Sequence, residues 1–369
     1  MTLLLLLLAG WLALSVLLAL SAGEPAPGVV HRVETADGWS LRVHRFEPPP
    51  GVPRRPVPVV LGHGITMSAR CWYLSERAHI PRLLAAAGHD VWVAEYRGVI
   101  GSRAPSWRAR FAFDCETLAQ FDLPAIIDGV CRLTGSDRVS WVGHSMGGLL
   151  VYLYAGQFGS DRLHRVVTLG SPTRFGPKPF PALLPGLVGA ADRIPILPSW
   201  PATVLSLPAA SLCPQLGPAT VFRPAHWSFA ERAALLAWAY TDVPTRLQAW
   251  FGRMKMKRAS VCPDDPADPG PLPGGFRKLV APLLVVASTG DRLVLPRSSR
   301  AAFDRAASPR KLWRLFGDPT QPAGPWFGHN DLICSAAAVQ SVYPLVREWL
   351  EREEPDLDEL TAAVARGLL

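Results

Sequence analysis

The sequence lacks the marks of several protein classes. Its six cysteines, at positions 71, 115, 131, 213, 262 and 334, never form a Cys-x-x-Cys pair, and there is no His-Glu-x-x-His. Neither common zinc-ligand spacing is therefore present, and no metal site is expected. No basic cluster is interleaved with aromatics and no nucleic-acid-binding motif occurs, which argues against a nucleic-acid partner. Only 18% of residues are charged and 49% are hydrophobic. That balance excludes a disordered chain and suits a sizeable core. The 369 residues are enough for one large domain or two average ones. The net charge of +8 comes mostly from arginine, and fits a mildly basic enzyme that meets an anionic surface as well as it fits any protein of an arginine-rich proteome.

Apolar residues are most concentrated at the N-terminus. Leu3 to Leu20 is an uncharged run of 18 residues, followed by the small residues Ser21, Ala22 and Gly23. Residues 1–23 read either as a secretory signal peptide cut near Ser21 or Gly23, or as a retained membrane anchor. The missing basic flank leaves both readings open, and both predict export. Export permits disulfides, and the six cysteines predict buried thiols with at most one or two structural bridges.

After this leader, "VVHRVETADGWSLRVHRFEP" reads as two strands joined by a tight turn at Ala36-Asp37-Gly38. Six apolar runs follow, each ending in a loop: residues 57–64, 89–98, 139–145, 165–172, 281–291 and 311–317. Val- and Leu-rich runs with little polar alternation suit strands buried on both faces, as in a parallel sheet covered by helices. Helices are expected between them, over 71–88 and in "DLPAIIDGVCRLTG". In the latter, Asp122 is placed as N-cap, Pro124 in the first turn and Gly135 at the end. Strand–helix alternation gives an α/β fold, with core parts at residues 24–172 and 280–350.

The alternation breaks over residues 173–279, which are rich in proline and aromatics, with helical stretches but no clear strand. An insert between core strands reads as a lid or cap, or as a second packing subdomain. It ends in the exposed-loop sequence "CPDDPADPGPLPGG". Its residues Phe175, Phe180, Trp200, Trp227, Trp238 and Trp250 suggest an apolar acyl pocket or lid, though ordinary core would use the same side chains. The basic run Arg253, Lys255, Lys257 and Arg258 reads as a solvated helix face or a contact with anionic lipid. Residues 351–369 read as a C-terminal amphipathic helix to which no function is assigned.

The chemistry centres on Gly143-His144-Ser145-Met146-Gly147, which leaves a predicted strand and opens a predicted helix. A turn that tight strains the serine backbone, and a side chain at either flanking glycine would strike a neighbouring strand or helix. A serine merely capping a helix would not need both glycines. Serine needs a base and the base an orienting acid, here in the chain order Ser145, Asp291, His329. Asp291 follows the strand at 281–291, and His329 follows the last predicted strand. Asp331 is a weaker candidate acid, too close to His329 in the chain to sit behind its ring. Donors for a developing oxyanion are expected from the backbone N–H groups of Met146 and of Ile65, in Gly62-His63-Gly64-Ile65. His63 itself is expected to bond backbone.

"LGHGITMSARCW", "HDVWVAEYRG", "FDLPAIIDGV", "WVGHSMGG", "STGDRLVLP" and "FGHNDLI" resemble, in order, the motifs of α/β-hydrolases. The second, third and last are most similar to the acid-lipase branch. The resemblance covers roughly residues 29–172 and 280–350. It implies a serine triad, no cofactor, and hydrolysis of lipid or other carboxylic esters beneath a lid. Ser145 would be the nucleophile, Asp291 the acid and His329 the base, with Ile65 and Met146 supplying the oxyanion donors. Two features depart from the branch: residues 173–279 match none of its pattern, and Met146 stands where glutamine is usual. Ser145 separates the chain from polyhydroxyalkanoate synthases, which carry cysteine there, and from haloalkane dehalogenases and epoxide hydrolases, which carry aspartate.

The expected activity is thus that of a serine esterase or lipase acting on small-molecule or lipid esters. An acyltransferase would use the same triad. A non-catalytic binding protein on this fold would not need all three residues.

Overall fold

The computed structural model describes residues 2–175, 194–212, 223–261, 270–272, 274–318, 325–352 and 360. Eight strands build one sheet. β1 (Val29–Glu34) and β2 (Ser40–Phe46) form the predicted hairpin, with Gly38 of its turn at φ 85°. The rest are β3 (Val59–Gly62), β4 (Val91–Glu95), β5 (Val139–His144), β6 (Leu163–Leu169), β7 (Leu283–Ser288) and β8 (Lys311–Phe316). Their order is β1-β2-β4-β3-β5-β6-β7-β8; β1, β2 and β4 pair antiparallel and all further pairs are parallel. Every residue of β3, β4, β5 and β7 is buried, as strands covered on both faces require. All six predicted core strands are found. Two large apolar clusters cover the faces, one containing Ile126, Leu150 and Val285 and the other Leu84, Val286 and Val346.

Two expectations about helices need correction. The helix expected over 71–88 shrinks to α2 (Ile80–Ala86), preceded by a short antiparallel pair, Tyr73–Ser75 with Ala78–His79. Pro81 fits only a first turn, and the His79 ring accepts from the Arg82 N–H (3.2 Å) as the cap, so the helix begins there. The second correction concerns α3 (Leu123–Thr134). Pro124 and the left-handed Gly135 end it as expected, but Asp122 is not its cap. Asp122 is itself helical, in a π-helical turn over Leu118–Asp122, and its carboxylate accepts from Arg97 N (2.8 Å) and Nε (2.6 Å). Arg97 also reaches Asp37 in the hairpin turn, at 2.6 and 2.8 Å. Asp122→Ala should cost about 3–5 kcal/mol, since it removes one partner of a buried ion pair. Urea denaturation reads this, and a loss below about 1 kcal/mol would mean that Asp37 alone satisfies Arg97.

The apolar N-terminal segment forms α1 (Thr2–Ser21), and it lies against α5 (Ser199–Leu212) of the insert. Trp11 Nε1 donates to the Leu205 carbonyl (2.9 Å), and Leu18, Ala19 and Ala22 pack on Val204, Leu207 and Leu236. Among the residues whose side chains are described, which exclude Leu3 and Leu4, no helix is long and apolar enough to cross a membrane. Cys71, Cys115, Cys131 and Cys334 are buried free thiols; Cys213 and Cys262 lie outside the described residues, as do most of the 262–275 loop and of the C-terminal tail.

The described insert is mainly helical. α5 is followed by α6 (Phe229–Ala234) and α7 (Thr245–Met256), with one two-residue strand pair, Ile196–Leu197 with Val243–Pro244. Phe175 and Trp250 join the main core, Trp227 the second cluster, and Trp238 is partly buried; Trp200 is 42% exposed, and Phe180 lies outside the described residues. Several of these aromatics are therefore ordinary core. The basic run forms the outward last turn of α7 and the residues just after it, with Arg253 3.8 Å from Asp114.

Candidate active site

The predicted site residues all stand at the C-terminal ends of parallel strands, where open α/β sheets place their clefts. Ser145 directly follows β5 and caps α4 (Met146–Phe158) with φ 52° and ψ −115°, a conformation L residues rarely adopt. The flanking glycines make that turn possible. A Cβ on Gly143 would lie 2.4 Å from Gly148 N, and one on Gly147 would lie 2.3 Å from the Gly62 carbonyl oxygen of β3. The turn is pinned by Ser145 N–H donating to Leu169 O (3.0 Å) and by Trp141 Nε1 donating to Gly147 O (3.0 Å). Strain of this kind costs on the order of 1–3 kcal/mol and persists only where the surroundings enforce it. The Ser145 hydroxyl, on a residue 6% exposed, makes no hydrogen bond among the described residues.

Asp291 and His329 are brought together from the turn after β7 and the loop after β8. His329 Nδ1 lies 2.7 Å from Asp291 Oδ2. The other carboxylate oxygen accepts from Leu293 N (2.9 Å) and Val294 N (2.8 Å), which orients the acid. With Nδ1–H donating to Asp291, Nε2 of His329 carries the free lone pair. Gly170, at φ 55°, passes close behind: a Cβ there would lie 3.1 Å from Asp291 Oδ2 and 3.4 Å from His329 Nδ1.

The loop after β3 presses on the serine. A Cβ on Gly64 would lie 3.2 Å from Ser145 Cβ. Neither the Ile65 nor the Met146 N–H donates to another backbone carbonyl among the described turns and loops. Met146 N–H also opens α4, where the helix dipole favours negative charge. His63 is buried, and its Nδ1–H donates to the Gly64 carbonyl (2.8 Å), the backbone role expected of it. An apolar crevice leads away between Met146, Phe113, Leu118 and Leu247.

Two further residues shape the site. The His144 ring lies against that of His329, with centroids 4.6 Å apart and planes tilted by 45°, and its Nε2–H donates to the His329 carbonyl (3.0 Å). Burial, then the neighbouring His329, holds His144 well below the ordinary imidazole range, so it stays a neutral donor. Asp331 does not orient His329. Its buried carboxylate accepts from Gly328 N (2.7 Å), Arg223 N (3.0 Å), Trp227 Nε1 (2.5 Å) and His226 Nδ1 (3.2 Å), which fastens the insert to the His329 loop. Asn330 adds a second tie, Nδ2 donating to Tyr240 OH (3.1 Å). The spacing of these residues in the chain gave no sign of either role. Only the short interval between His329 and Asp331 marked Asp331 as a poor triad acid.

Three more buried histidines make the fold sensitive to acid. Burial lowers His63 and His79 to about 4, and burial together with Arg55, Arg165 and Arg347 lowers His89 to about 3. The unfolded chain takes up protons below about pH 6.5 that these rings refuse, so stability falls as pH drops from there towards 4. Asp122 works the other way. Burial, outweighing Arg97, raises it to about 6, and protonating it as pH falls favours the fold. These three histidines, with His144, outweigh one carboxyl. Unfolding free energy is expected to fall by several kcal/mol between pH 7 and pH 4.5, at roughly 1.4 kcal/mol per unmatched proton per pH unit. Denaturant titrations check this, and a flat or rising stability would contradict it.

The alpha/beta hydrolase fold model matches residues 57–319, and a partial alpha/beta-hydrolase lipase region matches residues 27–76. The chain belongs to the α/β-hydrolase fold family. It is 36% identical over 137 residues to gastric triacylglycerol lipase of Bos taurus, and 35% identical over 130 residues to lipase member K of Homo sapiens. Each alignment covers 33% of both chains, so this chain spans about a third of the length of these relatives. Among solved structures, a soluble variant of Saccharomyces cerevisiae monoglyceride lipase superposes with a TM-score of 0.59 at 16% identity, covering 91% of this chain and 96% of that one. Paleococcus ferrophilus monoacylglycerol lipase superposes at 0.56 and 21% identity, covering 84% and 98%. At these identities the structures share the fold.

Proposed function

We propose that the protein is a serine hydrolase of carboxylic esters with apolar acyl groups, acting through an acyl-enzyme. Ser145 Oγ attacks the ester carbonyl and gives its proton to His329 Nε2, while Asp291 holds Nδ1–H and stabilises the imidazolium. The carbonyl oxygen, now negative, is met by the Ile65 and Met146 N–H groups. His329 then protonates the departing alcohol, leaving the acyl group on Ser145. A water entering the same place gives its proton to His329 and attacks the acyl carbonyl; as the acid leaves, His329 returns that proton to Ser145 Oγ. No cofactor is required. The insert between β6 and β7 serves as the cap, tied to the His329 loop through Asp331 and Asn330, and the apolar crevice takes the acyl chain. Residues 1–23 direct the chain to export.

The observation that carries this reading is the His329–Asp291 pair at 2.7 Å at the same edge of the sheet as the strained Ser145 turn. The matching lipases and the fold neighbours support it. A series of p-nitrophenyl esters from acetate to palmitate tests it. Turnover is expected in the wild-type protein, with longer acyl chains preferred to acetate, and it should vanish in Ser145→Ala. Turnover confined to acetate would remove the apolar-acyl part, and turnover retained in Ser145→Ala would remove the whole.

A further inference from the structure

The surface loop after β4 combines exposed apolar and unpaired basic side chains. Residues 98–113, GVIGSRAPSWRARFAF, hold three arginines and no carboxylate. Trp107 is 73% and Ile100 68% exposed, the highest values for bulky apolar side chains among the described residues. Isolated exposed apolar residues are common, but these have charged company. Arg103, Arg108 and Arg110 are all exposed, and none forms an ion pair among the described residues; Arg108 lies over the Trp107 ring at 5.6 Å.

Residues 100–103 at the start of this loop are tied to the hairpin. The Arg42 guanidinium, paired with Glu95, reaches the Ile100 carbonyl from beneath, and Arg32 Nη2 donates to Gly101 O (3.2 Å). Ser40 and Arg103 exchange both backbone hydrogen bonds at 2.9 Å. Its location ties it to the site. Ile100 and Arg110 share a surface hollow with Trp200, Thr241, Asp242 and Pro244, and the last three also line the crevice reaching Gly64 and Met146. Asp242 is the carboxylate there, and it accepts the Trp200 N–H (2.9 Å).

We propose that this loop, with Trp200, docks the protein on an anionic phospholipid layer with the crevice mouth against the lipid. Tryptophan settles at the level of lipid headgroups, and arginine pairs with their phosphates. Holding residues 100–103 in place lowers the ordering cost of docking. The proposal rests on the ester-hydrolase reading only for what the docked mouth receives. Docking itself is measured without turnover.

The test is sedimentation of the full-length Ser145→Ala protein with phosphatidylcholine vesicles, with and without phosphatidylglycerol. Binding is expected to be tighter with phosphatidylglycerol and to weaken as salt rises. Arg108→Glu with Arg110→Glu should weaken it more than about tenfold, given roughly fivefold per basic residue near an anionic layer. Trp107→Ala should weaken binding to both vesicle types. Equal binding by wild-type loop and variants would assign attachment to the N-terminal helix α1 and overturn the proposal, as would no binding to either vesicle. Absence of ester turnover from the folded wild-type protein, with docking intact, would sink the ester-hydrolase reading and leave this one standing.

Discussion

Asp291→Asn is expected to lower ester hydrolysis about 10⁴-fold in kcat while leaving the fold near wild-type stability, because the tautomer of His329 is set by that carboxylate. One carboxylate oxygen accepts from Leu293 N and Val294 N, and the other faces His329 Nδ1. An asparagine keeps the first contacts by turning its carbonyl oxygen to them, which leaves its NH₂ facing the ring. His329 then accepts at Nδ1 and carries its proton on Nε2, where it can no longer take one from Ser145. Steady-state hydrolysis of p-nitrophenyl butyrate, with urea midpoints as the control for folding, checks the expectation. A loss of less than about tenfold would mean that another group orients the ring.

The second large effect is mechanical. Gly147→Ala places a Cβ 2.3 Å from the Gly62 carbonyl oxygen and 2.6 Å from its carbon, both backbone atoms that cannot rotate away. Either the start of α4 or the end of β3 must move, and those segments carry Met146 N–H and the loop to Ile65. Overpacking of this kind costs about 1–3 kcal/mol. A displacement of roughly 1 Å at the donors should remove about 10²-fold in kcat. Thermal unfolding and kcat together read both effects. Wild-type kcat in a folded Gly147→Ala protein would show that the oxyanion donors lie elsewhere.

Much of the core could be read from the sequence because its signals are local. β3, β5 and β7 are uninterrupted apolar runs, each ending in a loop, and glycines 143 and 147 each have a backbone neighbour that a Cβ would strike. The pairing of Asp291 with His329, 38 residues apart, was legible only through their order and their positions after strands. What failed depended on distant partners. Asp122 has the composition of a helix cap, but Arg97, from the loop after β4, takes its carboxylate and the helix runs through it. The 71–88 segment has helical composition, yet Pro81 and the His79 ring start α2 late. Asp331 and His144 act through the insert and the His329 carbonyl, contacts no periodicity records.

The most direct measurement of the central chemistry is the intact mass of the folded protein after reaction with a fluorophosphonate. On the proposed mechanism Ser145 should take one phosphonyl group per chain, located by peptide mapping at Ser145, and Ser145→Ala and His329→Ala should take none on the same timescale. Labelling undiminished in Ser145→Ala, or absent from folded wild-type protein, would contradict the triad.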